Sequence, residues 1–315
     1  MDILYALQQL REGPLSFLTP FMSAVSSGAI IISVAIIGIA YWAYNKRFGT
    51  LGIFSLTFGF LLNSAIKVTA CEYRPWVLDS RLTPASTSSL ATGYSMPSAH
   101  ATLATAALGT FSAGFWKQRK WVSILCGVLL ALVMFSRMWL GCHTLADVLV
   151  GFAACAALLP LVRLFLLWGD GAKNRDALLL VLGIVIGIVA LTYGYLKPYP
   201  IEYTTTGELL VDPYVMVRDY CSSVGVFWGA LAGWFLERHF VKFTVDGAVG
   251  MRIARVVAGV AGAGILYLVL SFALGSVDIN VAHVAKYCLV TCYCLAGWPW
   301  VFTHVEPRIY AALSR

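Results

Sequence analysis

Three short strings hold most of the side chains that could do chemistry: Lys67-x6-Arg74-Pro75, Pro97-Ser98-Ala99-His100, and Ser136-Arg137-x5-His143-x3-Asp147. They place three fixed cations, two imidazoles, a hydroxyl and a carboxylate within about eighty residues. Cations hold an anion, an imidazole oriented by a carboxylate attacks it, and a second imidazole protonates the leaving group. That is the inventory of a metal-free phosphoryl-transfer site.

Each string also has a plainer reading. Pro97 suits the first turn of a helix, where its missing N–H is not needed. The next N–H groups are then unpaired and, with the helix dipole, form an anion cradle that the Ser98 hydroxyl extends. His100 sits one turn in. Alone, the string reads equally as an ordinary helix start. His143 and Asp147 are spaced i,i+4 on one helical face, so Asp147 can accept from one ring nitrogen and leave the other free as a nucleophile. The plainer reading is a pair that merely satisfies itself. Lys67 at the end of an apolar run resembles an interfacial anchor. Arg74 before Pro75 is held extended, which aims a planar guanidinium at a phosphate.

The elements that must position these groups lie in lipid. Apolar residues make up 60% of the 315 and charged residues only 12%, about half the share usual in soluble domains. The fold class expected is all-α: a polytopic membrane helical bundle of about nine transmembrane helices, with a six-helix core and three additional C-terminal helices. The candidate spans run near 26–44, 50–70, 98–116, 121–139, 143–168, 176–196, 221–238, 252–274 and 282–303, each near the length that crosses the hydrocarbon core. The expected division is an interfacial N-terminal segment over 1–25, a catalytic core over 26–196, a loop over 197–220 and a three-helix extension over 221–315. The start lacks a basic region followed by a short apolar core, which predicts no cleavable signal peptide. Glycines 183, 187, 259, 262 and 264 lie in spans and are expected to permit close helix packing.

On this topology all three strings fall on one side of the membrane. Thirteen of the 22 Lys and Arg residues lie on the opposite face and seven on the motif face, with Arg163 and Lys286 near span ends. The positive-inside bias therefore places the site and the N-terminus outside the cytoplasm and the C-terminus inside, as expected of a multi-pass cell-membrane protein. The same distribution accounts for the net charge of +7 without a nucleic-acid partner, because the basic residues sit on inner loops. No C-x2-C pair occurs, which argues against zinc, and no metal or other cofactor is expected. Cys71, Cys142 and Cys221 fall on the outer side, where two of them could pair. Tyr73, Trp76 and Tyr94 suit an interfacial aromatic belt, and the 197–220 loop is expected to cap the site.

The pattern resembles the type 2 phosphatidic acid phosphatase superfamily, which includes lipid phosphate phosphatases, undecaprenyl pyrophosphate phosphatases, glucose-6-phosphatases and, more remotely, vanadium haloperoxidases. Residues 50–165 carry the resemblance, and every motif position matches except Ala99, where the family usually has glycine. The resemblance implies that His143 attacks phosphorus to form a phosphohistidine, that Asp147 orients it, and that His100 protonates the leaving oxygen and later activates water. Lys67, Arg74, Arg137, Ser98 and the Ala99 N–H would hold the phosphoryl oxygens. The expected substrate is a lipid phosphate in the bilayer. The alternatives are a soluble sugar phosphate, as in a glucose-6-phosphatase layout, and a transporter that binds a lipid phosphate without cleaving it. The sequence does not address the oligomeric state.

Overall fold

The computed structural model describes residues 1–85, 93–204 and 207–313. Twelve α-helices are present among them: α1 Asp2–Glu12, α2 Leu18–Ile39, α3 Lys46–Ala70, α4 Pro75–Leu78, α5 Ala99–Phe115, α6 Lys120–Trp139, α7 Leu145–Asp170, α8 Arg175–Leu196, α9 Pro213–Leu236, α10 Val249–Ala273, α11 Ile279–Cys292 and α12 Trp298–Leu313. The fold is an all-α helical bundle, as expected. Seven stretches among the described residues are long and apolar enough to cross a membrane. Of the nine expected spans, those at 98–116 and 221–238 correspond to α5 and α9, which are not among the seven; α5 has only 17 residues.

The chain divides into two compact units assembled from interleaved stretches. The first comprises Met1–Ala35, Phe58–Leu161 and Gly194–Asp219. Its central helix is α5, whose Ala101, Ala104, Ala106 and Ala107 are almost completely buried. Small side chains let neighbouring helices approach closely. Its buried hydroxyls are satisfied within the helix: Thr102, Thr105 and Thr110 donate to the carbonyls of Ser98, Ala101 and Ala106. Helix α6 packs against it through Cys126 and Val133, with Val25, Ala29 and Ile30 of α2 alongside.

The segment over 1–25 packs into this unit. Helix α1 buries Leu4, Gln8 and Arg11, and Leu4 packs with Leu82, Ala101, Met138 and Val148. The Arg11 guanidinium donates to the Trp139 and Thr83 carbonyls at 2.9 and 2.5 Å. Helix α2 already begins at Leu18. The 197–219 stretch is tied to the same unit: Lys197 donates to the Val68 carbonyl and lies 3.0 Å from Cys71 Sγ.

The second unit comprises Ile36–Thr57, Val162–Tyr193 and Tyr220–Arg315. Here Gly225, Gly229 and Gly233 form one face of α9 against α11, where added Cβ atoms would meet the carbonyl oxygens of Val284 and Cys288 at 2.5 and 2.3 Å and Cβ of Leu295 at 2.7 Å. This close crossing uses glycines other than those singled out from sequence. Of the latter, 183, 187, 259 and 262 do face large side chains, but Gly264 faces open space. Lys286 is buried, its ammonium 4.6 and 5.4 Å from the ring centres of Tyr267 and Tyr287. No disulfide forms, so the pairing considered for Cys71, Cys142 and Cys221 is absent.

Candidate active site

All eight candidate residues fall in the first unit. One face of α3 organises the first two strings. Asn63 donates to the Pro97 carbonyl at 3.3 Å and to Thr102 Oγ1 at 3.0 Å. One turn later Lys67 Nζ donates to the Tyr94 carbonyl at 2.7 Å, with the Ser95 carbonyl at 3.5 Å. Lys67 thus tethers the loop that carries the second string. Arg74 is extended, with φ −66° and ψ 152° before Pro75, as the steric rule for a residue preceding proline requires. Its Nε donates to the Gly93 carbonyl at 3.1 Å and its Nη1 to the Cys142 carbonyl at 3.0 Å, and Nη1 lies 3.1 Å from His143 Nε2.

Helix α5 begins at Ala99, so Pro97 lies ahead of the cap and not in the first turn as expected; Ser98 is the N-cap, accepting from the Ala101 N–H at 3.5 Å. Its hydroxyl oxygen is therefore engaged by the cap, leaving the hydroxyl proton to donate. The Ala99 and His100 N–H groups stand in the first turn of α5, where helix geometry leaves the N–H groups without an intrahelical acceptor. His100 is half-buried, within electrostatic reach of Arg137, Arg74 and Lys67.

The third string is folded by a tight turn between α6 and α7. Gly141 takes φ +72°, a left-handed conformation that closes helices and suits glycine. A Cβ there would also lie 3.2 Å from the Thr83 carbonyl oxygen. The turn brings Arg137 and His143 onto one side. Arg137 Nη1 donates to Ser26 Oγ at 2.9 Å, while its buried Nε has no hydrogen-bond partner among the described residues. Thr144 and Asp147 make a reciprocal cap at the start of α7: Thr144 N–H donates to Asp147 Oδ2 at 2.7 Å, and Asp147 N–H to Thr144 Oγ1 at 3.2 Å. Glycine at 151, one turn further, lets α7 approach α5, since a Cβ there would meet the Ser98 carbonyl oxygen at 3.0 Å.

His143 precedes α7, so the pair does not share a helical face as the spacing predicts; the two side chains still approach, with Nδ1 and Oδ2 3.6 Å apart, longer than a hydrogen bond. Ser95 stands between them, its Oγ 2.6 Å from Asp147 Oδ2 and 3.3 Å from His143 Nδ1. Ser95, Asn63, Ser26 and Arg11 were not singled out from sequence; no spacing marks them. Thr144 was legible in principle, as Thr-x-x-Asp before an apolar run is a capping-box signature.

His143 lies in the turn ahead of α7, and its ring is buried. Burial is the largest influence and holds its pKa well below the ordinary imidazole value, reinforced by Arg74, Lys67 and Arg137 and opposed by Asp147. Lowering the pKa favours the uncharged ring, so His143 is neutral at pH 7 and gains its proton only on acidification past the ordinary value. Titration of the histidine rings by NMR, with the His143 signal assigned by its loss in His143→Gln, should give a midpoint below about 6.5. A midpoint at or above that value would contradict the burial argument.

Comparison with known families matches residues 48–169 to the PAP2 superfamily model and residues 221–309 to that of the PAP2 superfamily phosphatase, transmembrane extension. Among curated proteins and solved structures, none matches the chain.

Proposed function

The chain belongs to the PAP2 superfamily, a family of membrane phosphatases, and from that premise we propose a metal-independent phosphomonoesterase that works through a phosphohistidine on a lipid phosphate at the extracytoplasmic face. The observation that carries the reading is the fixed donor held against Nε2 of the His143 ring. Arginine is a donor only and keeps its charge. Arg74 Nη1, 3.1 Å from Nε2, therefore requires a lone pair on Nε2 and a proton on Nδ1. That is the tautomer of a poised nucleophile.

In the reaction, Nε2 attacks phosphorus as Arg74 transfers its hydrogen bond to a phosphoryl oxygen. The P–O bond to the leaving group breaks, and His100 gives that oxygen its proton. Water then attacks phosphorus, His100 takes a proton from it, and the P–N bond breaks with its electron pair returning to Nε2. Arg137, Lys67 and the N–H groups of Ala99 and His100 balance the phosphoryl charge. The site is built on the ends of helices expected to span the bilayer, which suits a substrate that diffuses within it.

Detergent-purified protein should release phosphate from phosphatidic acid or prenyl phosphates in excess chelator, because fixed cations supply the positive charge. Hexose phosphates should be poorer substrates. Intact cells should hydrolyse externally added short-chain phosphatidic acid. Preference for hexose phosphate would replace the lipid assignment, magnesium-dependent rescue after chelation would sink the mechanism, and activity only after permeabilisation would reverse the orientation. Lipid movement in vesicles with no hydrolysis of any phosphomonoester would favour a transporter.

A further inference from the structure

We propose that Ser95 is a positioning residue that couples Asp147 to His143, completing an Asp–Ser–His relay in which the carboxylate acts on the ring through the serine hydroxyl. The inference rests on the phosphatase reading for its catalytic consequence, though its geometry stands alone. The carboxylate is too far from the ring for a direct hydrogen bond, at 3.6 Å. The 2.6 Å separation from Ser95 Oγ to Asp147 Oδ2 is the short distance of a hydroxyl donating to a charged acceptor. With its proton committed there, Ser95 Oγ offers a lone pair to His143 Nδ1 at 3.3 Å. Arg74 independently assigns the proton to Nδ1, so donor and acceptor roles agree along the whole chain.

The hydroxyl is also held firmly. Ser95 is fully buried, its N–H donates to the Glu72 carbonyl at 2.7 Å, and Lys67 lies 3.5 Å from its own carbonyl oxygen. Asp147 Oδ2 in turn accepts from the Thr144 N–H. Positive charge develops on the ring when Nε2 bonds to phosphorus, and the relay carries the carboxylate's stabilisation to Nδ1–H. The charged groups acting on the ring are Asp147 in favour of that charge and Arg74, Lys67 and Arg137 against it. Removing the serine hydroxyl would leave the three cations less opposed.

The full-length chain and Ser95→Ala would be compared in detergent micelles. In the wild type, proton NMR should show an exchange-protected Nδ1–H signal for His143; its absence would overturn the relay without any variant. In Ser95→Ala that signal should vanish, the ring's titration midpoint should move to still lower pH, and kcat should fall about a hundredfold with KM within about threefold. A retained signal, an unmoved midpoint or an unaltered kcat would each overturn it. If the wild type hydrolyses no phosphomonoester yet the signal and midpoint respond to Ser95→Ala, the relay stands and the phosphatase reading fails.

Discussion

His143→Ala should reduce phosphate release by about four orders of magnitude or more while leaving a folded, helical protein. The size follows from the role. A nucleophile supplies the bond that splits one difficult displacement into two easier ones, and no other ring takes its place: His100 lies on α5 with no hydrogen bond to Ser95 or Asp147. The fold should tolerate the loss because His143 lies in a turn, and Arg74 retains the Cys142 and Gly93 carbonyls as acceptors. Circular dichroism and thermal midpoint would establish the fold, and phosphate release under single-turnover conditions the chemistry. Activity within tenfold of wild type would remove His143 from the nucleophile's place. Trapping a covalently phosphorylated protein from wild type but not from the variant would identify the intermediate directly.

Glu306→Ala should destabilise the second unit by about 3 to 5 kcal/mol, the cost of leaving a buried charge without its partner. Arg255 on α10 and Glu306 on α12 form a two-pronged pair, Nε to Oε1 and Nη2 to Oε2, both at 2.5 Å. Their side chains are only 6% and 10% exposed, and the guanidinium lies 4.6 Å from the Phe302 ring centre. Removing the carboxylate leaves the buried cation with only the Thr244 and Asp246 carbonyls, at 3.3 and 2.7 Å, and no counter-charge. Replacing both residues together, Arg255→Met with Glu306→Leu, should cost far less, because a buried pair contributes little beyond an apolar substitute of similar volume. Thermal unfolding in detergent distinguishes the two. A single variant as stable as wild type would mean that water or lipid headgroups reach the guanidinium.

Much of this chain could be read before any coordinates. The apolar runs identified helices because backbone polar groups in lipid must be satisfied within the segment, which leaves few options. Asp147 stood out because a carboxylate in an apolar helix is costly without a function. The Arg74–Pro75 step followed from sterics alone. Sequence spacing is silent wherever packing decides. Residues 1–25 look amphipathic and broken, and only the structure shows that Arg11 and Gln8 on α1 are buried within the unit. Likewise, nothing in an i,i+4 spacing says whether two side chains touch, since ring orientation depends on what else enters the space. Residues 86–92, between the first two strings, lie outside the described residues.

The sequence by itself determined the membrane class, the chemical inventory and the convergence of three strings, because these depend on composition, span length and which ends of helices share a side. Tertiary structure alone decided how the inventory is wired. Ser95 lies 48 residues from His143 and 52 from Asp147, and a hydroxyl at such separation carries no periodic signal. Asn63 and Lys67 on α3 hold its loop in place, and the Gly141 turn swings His143 toward it. Which groups meet in a buried site is a property of three packed segments at once, and no local rule of spacing contains it.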